Sequence, residues 1–188
     1  MARERRSTYF ISDTHFCHEA SLRFEGRGHF SSVTEMNETI ISNWNSRVRG
    51  NDTVYIMGDM FYRAAPEDVE NILSRLKGKK YLVRGNHDGS WIDKGDFMKY
   101  FVAVSYMMEV TDGQRGLTLC HYPLLIWKHQ LKSYMIHGHL HVDTTDDFWP
   151  LIRSRERLLN AAVEINGFSP VTFDELVENN RVFKTNHP

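Results

Sequence analysis

A chain of 188 residues with 24 acidic and 23 basic side chains, net charge −1, has no global electrostatic pull toward nucleic acid or an anionic membrane. Hydrophobic residues at 41% and charged residues at 25% are the proportions of an ordinary folded protein and exclude a disordered chain. A chain of this length buries a core without disulfide staples, and its two cysteines, Cys17 and Cys120, form no C-x-x-C pair, so they read as reduced, buried thiols of a cytoplasmic protein.

The start of the chain, Met1 to Arg6, is basic, but only Tyr9-Phe10-Ile11 follows as an apolar run. That is too short for a signal peptide, and no stretch approaches the length of a membrane span. No repeat, low-complexity tract or linker-like boundary breaks the sequence, so a single domain over 1–188 is expected.

The first predicted strand is Thr8 to Ser12, ending at Asp13-Thr14-His15. Ser32-Val33-Thr34-Glu35 reads as a capping box, and the helix behind it sets Met36, Ile40, Trp44 and Val48 on one face. A second strand, Thr53 to Met57, runs into Gly58-Asp59. Pro66 suits the first turn of a helix that buries Val69, Ile72, Leu73 and Leu76 and closes at Gly78. A third strand, Lys80 to Arg84, ends at Gly85-Asn86-His87-Asp88.

The second half is richer in strands. Phe101 to Val110 and Leu117 to Cys120 read as strands joined around Asp112-Gly113, the latter ending at His121. Tyr134 to Ile136 leads into His137-Gly138-His139-Leu140-His141, and Leu158 to Ile165 is a further expected strand. Thr172-Phe173-Asp174-Glu175 is a second capping box, opening a short final helix through Leu176 and Val177. Strands alternating with helices indicate an α/β architecture.

Five of these strands run into clusters of Asp, Asn and His. Ligands of open α/β sheets bind beyond the carboxyl ends of strands, so these clusters are expected to meet. Together they offer Asp13, His15, Asp59, Asn86, His121, His139 and His141. That set is too large for one tetrahedral structural zinc and suits two neighbouring cations sharing a carboxylate. Mixed nitrogen and oxygen ligation favours Mn²⁺, Fe or Zn²⁺ over Mg²⁺ or Ca²⁺. Gly58, Gly85 and Gly138 each precede a candidate ligand, where a sharp turn or close approach suits glycine.

These blocks, in this order from Asp13 to His141, resemble the calcineurin-like metallophosphoesterase superfamily. The run Asn160 to Pro170 also resembles the closing strand and turn of its small microbial and phage members. The resemblance implies a layered β-sandwich of two mixed sheets flanked by helices. It implies that Asp13, His15 and His141 bind one metal, that Asp59 bridges, and that Asn86, His121 and His139 complete the second site. Mn²⁺ is the first candidate, with Fe, Zn²⁺ and Ni²⁺ behind it. The implied chemistry is hydrolysis of a phosphomonoester or phosphodiester, nucleotide-derived ones included, by a hydroxide bridging two metals. His87 would serve as the catalytic acid rather than a ligand.

Two positions depart from the family pattern. Tyr62 stands where many members carry the Asp that orients the catalytic histidine, which argues against a protein phosphatase. Cys17 stands where related small members often have glycine and implies redox sensitivity beside the ligands. His18, one turn after His15, and Arg27, in the following loop with Arg23, are candidate phosphate contacts, weighed against a solvated loop. Asp88 is expected to brace its turn, His137 to pack, and His29, His129 and His187 to lie on the surface. Trp127 and Trp149 either line a pocket or fill the core, and Arg153, Arg155 and Arg157 read as a solvated face. Two other functions remain open on this sequence: a nuclease or nucleic-acid end processor, which net charge does not indicate, and a binding scaffold without catalysis.

Overall fold

The computed structural model describes residues 6–188; Met1 to Arg5 of the basic start lie outside the described residues. Among the described residues, nine strands form two mixed sheets. The first contains β1 (Thr8–Ile11), β2 (Thr53–Ile56), β3 (Lys79–Val83), β4 (Phe101–Ser105) and β9 (Val171–Thr172). Its order is β4-β3-β2-β1-β9, parallel throughout except for the antiparallel β1–β9 pair. The second contains β5 (Met107–Thr111), β6 (Gly116–Cys120), β7 (Tyr134–His137) and β8 (Leu158–Asn160), in that order, with only β5–β6 antiparallel. The layered sandwich expected of the family is therefore present.

Strand alternation builds three cores. Phe10, Met57 and Val83 from the first sheet meet Leu117, Leu119, Ile136 and Leu159 from the second, filling the space between the sheets. The opposite faces of β1 and β2 present Ile11, Val54 and Ile56 to α1 (Val33–Arg47) and α2 (Pro66–Arg75). Met36, Ile40, Trp44 and Val48 of the first helical segment are each 0–1% exposed, as their spacing predicts. The outer face of the second sheet packs Met135 and Leu158 against Trp127, Trp149 and Ile152, so both tryptophans are core residues. Trp149 opens α3 (Trp149–Ser154).

Four expectations change. The predicted strand from Phe101 to Val110 breaks at Tyr106, because the chain leaves the edge of the first sheet and enters the edge of the second. The strand expected from Leu158 to Ile165 ends at Asn160, whose Oδ1 accepts from Ala162 N (2.9 Å) and pulls the chain into a turn. The first capping box is half formed: Ser32 accepts from Glu35 N, but the Glu35 carboxylate takes Ser31 N (2.8 Å) instead. The final helix, α4 (Phe173–Asn186), has 14 residues rather than being short. Its polar middle hides a buried Asn180 that accepts from Asn160 N (2.7 Å) and donates to Asn160 O (2.9 Å). The second capping box forms as expected, with Glu175 accepting from Thr172 N (2.8 Å).

Candidate metal centre

The loops leaving β1 and β2 are laced together. Asp13 N, His15 N and Phe16 N donate to Gly58 O, Asp59 O and Met60 O at 3.0, 3.0 and 2.7 Å. Gly138 N donates to His121 O (3.0 Å), which ties the loops after β6 and β7. His139 N donates to the Asp13 carboxylate (3.1 Å to Oδ2), which ties the two sheets to each other. Asp88 joins the loop after β3 to that after β2: its carboxylate accepts from Gly85 N (2.7 Å), Asp59 N (2.9 Å), Met60 N (3.0 Å) and Trp91 Nε1 (2.8 Å). It braces its turn, as expected, and the neighbouring loop as well.

Close approach needs glycine where these loops meet. A Cβ on Gly85 would overlap Asp59 Oδ1, and one on Gly138 would overlap Ser12 Oγ and fall 2.5 Å from Asp13 Oδ2. Asp13, His15, Asp59, His139 and His141 all hold φ between 48° and 70°. Such left-handed backbone costs roughly 1–3 kcal/mol at each residue and persists where surrounding contacts enforce it. Here the enforcing contacts are the interloop hydrogen bonds.

Asp13, His15 and His141 bring ligand atoms within 4.8 Å of one another, and Asp59, His121 and His139 do the same. Asn86 Oδ1 joins the second group at 2.9 Å from His121 Nε2. Asp59 Oδ2 lies 3.4 Å from His121 Nε2 and 3.9 Å from His15 Nε2, so one carboxylate oxygen faces both groups. The structure thus brings together all seven residues expected from the sequence.

The electrostatics suit cations. His15 Nε2 is buried with no hydrogen-bond partner, an unfavourable state for a ring nitrogen that a metal ion would relieve. Burial, then the charge of Arg27, drives the His15 pKa far down, so the ring is neutral. His121 Nδ1 donates to Met57 O (2.7 Å), which turns Nε2 toward Asp59 and Asn86. Burial opposes protonation of His121, but its bond to Asp59 and the charges of Asp13 and Asp59 prevail and raise it to about 9. Burial raises Asp13 against the pull of His141 and His121. Asp59 is also opposed by burial, yet its contacts with His121 and His87 hold it below the ordinary carboxylate value. Unshared imidazole nitrogen, paired carboxylates and an amide oxygen form a donor set that fits two divalent cations.

His87 stands at the edge of this group. Its Nε2 is 3.8 Å from Asp59 Oδ2, and its ring packs on Tyr62 (4.7 Å between centroids) and His15 (5.4 Å). His18 Nδ1 lies 3.1 Å from His15 Nδ1, so it reaches the site through a candidate ligand.

Arg27 is neither a phosphate contact nor part of a solvated loop. It is 0% exposed, its Nε donates to Glu164 Oε1 (2.7 Å), and its Nη2 donates to Asp13 O (2.5 Å). Arg23 is exposed. Glu164, which the sequence reading passed over, also accepts from His141 Nδ1 (2.9 Å). Its signal was a lone acid in the apolar run Ala161-Ala162-Val163-Glu164-Ile165.

Both cysteines are half-buried rather than buried. Burial, then the charge of Asp68, pushes the Cys17 thiol up to about 11, which disfavours the thiolate.

Two mixed sheets with paired carboxylate and imidazole clusters beyond their strand ends define an α/β metalloprotein. The chain belongs to the calcineurin-like phosphoesterase family, whose model matches residues 7–183. It is accordingly a hydrolase of the class that acts on phosphoesters with divalent metals. It is 33% identical over 184 residues to the uncharacterized protein MJ1445 of Methanocaldococcus jannaschii, covering 96% of each chain. It is 34% identical over 85 residues to the gene 66 protein of Mycobacterium phage L5, covering 44% of this chain and 40% of that one. A crystal structure of a protein of unknown function, AQ665, from Aquifex aeolicus superposes with a TM-score of 0.72 at 26% identity, over 93% of this chain and 99% of that one. Among the described residues, no helix is long and apolar enough to cross a membrane.

Proposed function

We propose that this chain, acting as one domain over 1–188, hydrolyses a small phosphodiester or phosphomonoester, nucleotide-derived ones included, at a dinuclear metal centre. The observation that carries the reading is the position of Asp59 Oδ2 between His121 Nε2 and His15 Nε2, at 3.4 and 3.9 Å. Asp13, His15 and His141 would hold the first cation and Asn86, His121 and His139 the second, with Asp59 placed to serve both. When bound, two divalent cations, Mn²⁺ before Fe, Zn²⁺ or Ni²⁺, would supply Lewis acidity that activates water at neutral pH and neutralises phosphate charge.

The remaining chemistry belongs to side chains of this chain. His121 keeps Nε2 aimed at the second site by donating Nδ1–H to Met57 O. His141 is oriented in the same way by Glu164. The 3.1 Å contact between His15 Nδ1 and His18 Nδ1 fixes the His15 ring with Nε2 toward Asp59, which makes His18 a positioning residue. His87 protonates the departing oxygen, a contribution typically worth about 10²–10⁴-fold. Tyr62 packs on its ring where the family often has a carboxylate. The free thiols of Cys17 and Cys120 support a reducing, cytoplasmic setting.

The test is a panel of phosphomonoesters, cyclic nucleotides and oligonucleotides assayed with Mn²⁺. The His87→Ala variant should bind Mn²⁺ like the parent and turn over at least about 10²-fold more slowly. The Asp59→Ala variant should lose turnover and one equivalent of bound metal. Equal turnover by the parent and Asp59→Ala would remove the dinuclear reading.

A further inference from the structure

A cleft of about 810 Å³ opens directly from the metal centre, with His139 and His141, one from each ligand group, in its wall. Phe24 packs edge-on against His141 (5.0 Å between centroids), and Tyr122 edge-on against His139 (4.7 Å). Beyond them the wall continues in Leu125, Leu140 and Phe148. Tyr122 and Leu125 are 46% and 49% exposed, which leaves apolar surface open to solvent beside a highly polar site. Glu25, Asp143 and Asp146 also line this cleft, and no Lys or Arg does. The Asp143 carboxylate accepts hydrogen bonds from Thr145 N (2.8 Å) and Oγ1 (2.7 Å).

The physics of this wall differs from that of the metal centre. Open aromatic and aliphatic surface gains free energy by covering a flat apolar group, about 25 cal/mol per Å² removed from water. Carboxylates along the same wall accept hydrogen bonds from amino and amide N–H groups and repel further phosphates. A nucleic-acid track would instead need cationic side chains following the backbone.

Resting on the phosphoesterase reading above, we infer that this cleft is a specificity subsite for the organic group of the ester. It takes a flat aromatic or heteroaromatic group with N–H donors, such as a single nucleobase, and discriminates against polyanionic substrates. Tyr122 is the specificity-determining side chain, because it is the exposed aromatic residue among those lining the cleft and its ring touches the candidate ligand His139.

Competitive inhibition reads this subsite apart from the chemistry. The reporters are p-nitrophenyl phosphate and bis(p-nitrophenyl) phosphate with Mn²⁺, and the probes are methylphosphonate, phenylphosphonate and thymidine 5′-monophosphate. Methylphosphonate and phenylphosphonate share one anionic head group, so the ratio of their inhibition constants reports the organic group, and thymidine 5′-monophosphate, a phosphomonoester, is read as a competing substrate. Phenylphosphonate and thymidine 5′-monophosphate should bind about 10-fold or more tightly than methylphosphonate, as expected for burying a ring. Tyr122→Ala, at a half-exposed position, should reduce that preference to about threefold or less, and Leu125→Ala should reduce it partway. An oligothymidylate should inhibit more weakly than the mononucleotide, and Asp143→Asn with Asp146→Asn should narrow that gap. Equal constants for methyl and phenyl probes against a hydrolysed reporter, or a preference unchanged in Tyr122→Ala, would overturn the subsite. Failure of both reporters to turn over would instead overturn the phosphoesterase reading on which it rests.

Discussion

Arg27 and Glu164 form an ion pair at 2.7 Å in which neither side chain is more than 1% exposed. The pair links two layers of the site. Arg27 donates to the carbonyl oxygens of Asp13 (2.5 Å) and Thr14 (3.3 Å), and Glu164 orients His141 at 2.9 Å. Burial opposes the Glu164 charge, but the His141 hydrogen bond and the Arg27 charge hold its pKa below the ordinary value.

Glu164→Gln tests this arrangement. It removes the charge that compensates a fully buried guanidinium, and breaking such a pair costs about 3–5 kcal/mol. It also loosens a metal-facing histidine, typically worth about 10–100-fold in metal affinity. Chemical denaturation of the metal-free protein should report the first effect and Mn²⁺ titration the second. Unchanged stability and affinity would refute the role given to the pair.

The glycines make a second, sharper test. Gly138→Ala would drive a methyl group into Ser12 Oγ and Asp13, whereas a Cβ on Gly28 meets nothing within 4 Å. Gly138→Ala should therefore displace Asp13, weaken Mn²⁺ binding and destabilise the fold by about 1–3 kcal/mol. Gly28→Ala should be close to neutral in both measurements. Similar behaviour of the two variants would mean that the loops tolerate separation.

Asp88 collects four donors while fully buried, and two of those bonds fix the backbone at Asp59 and Met60. Asp88→Asn should leave at least one N–H facing an amide N–H₂ and cost about 1–3 kcal/mol for each bond left unmade. Because Asp59 moves with its backbone, metal affinity should fall together with thermal stability. A variant that loses stability and keeps parental Mn²⁺ affinity would separate Asp88 from the site.

The candidate ligands were legible because each follows directly on an apolar strand, and parallel strands in sequence order deliver their ends to one place. What escaped the sequence depends on pairing at a distance. Arg27 reads as a loop cation because its partner Glu164 lies 137 positions away. Glu164 itself was absorbed into an expected strand, since side-chain hydrogen bonds from Asn160 and Asn166, not hydropathy, end the ladder there. The break at Tyr106 was invisible for a related reason: β4 and β5 are both β-prone, and only the sheet each one joins divides them. Helix α4 continues past Val177 through Glu178, Asn179 and Asn180, polar residues of which Asn180 is buried and hydrogen-bonded to the strand beneath it, a pairing at a distance that hydropathy does not show.

Lys80 supplies a pH signature far from the metal centre. It is 6% exposed, its Nζ donates to Leu76 O (2.7 Å) at the end of α2, and burial lowers its pKa from 10.5 to about 8. A lysine whose folded pKa lies below its unfolded one carries the full burial cost of its charge below about pH 8. Between about 8 and 10.5 the unfolded chain holds a proton that the folded chain has released, so unfolding free energy rises with pH. Lys184 is lowered to about 8 by burial as well and adds a parallel contribution. Urea denaturation at pH 7, 8, 9 and 10, comparing the parent with Lys80→Met, isolates the Lys80 share because other titrating groups cancel in the difference. The parent should gain stability relative to Lys80→Met as pH rises through this window. A difference that stays flat would mean that Lys80 keeps an ordinary pKa in the folded protein.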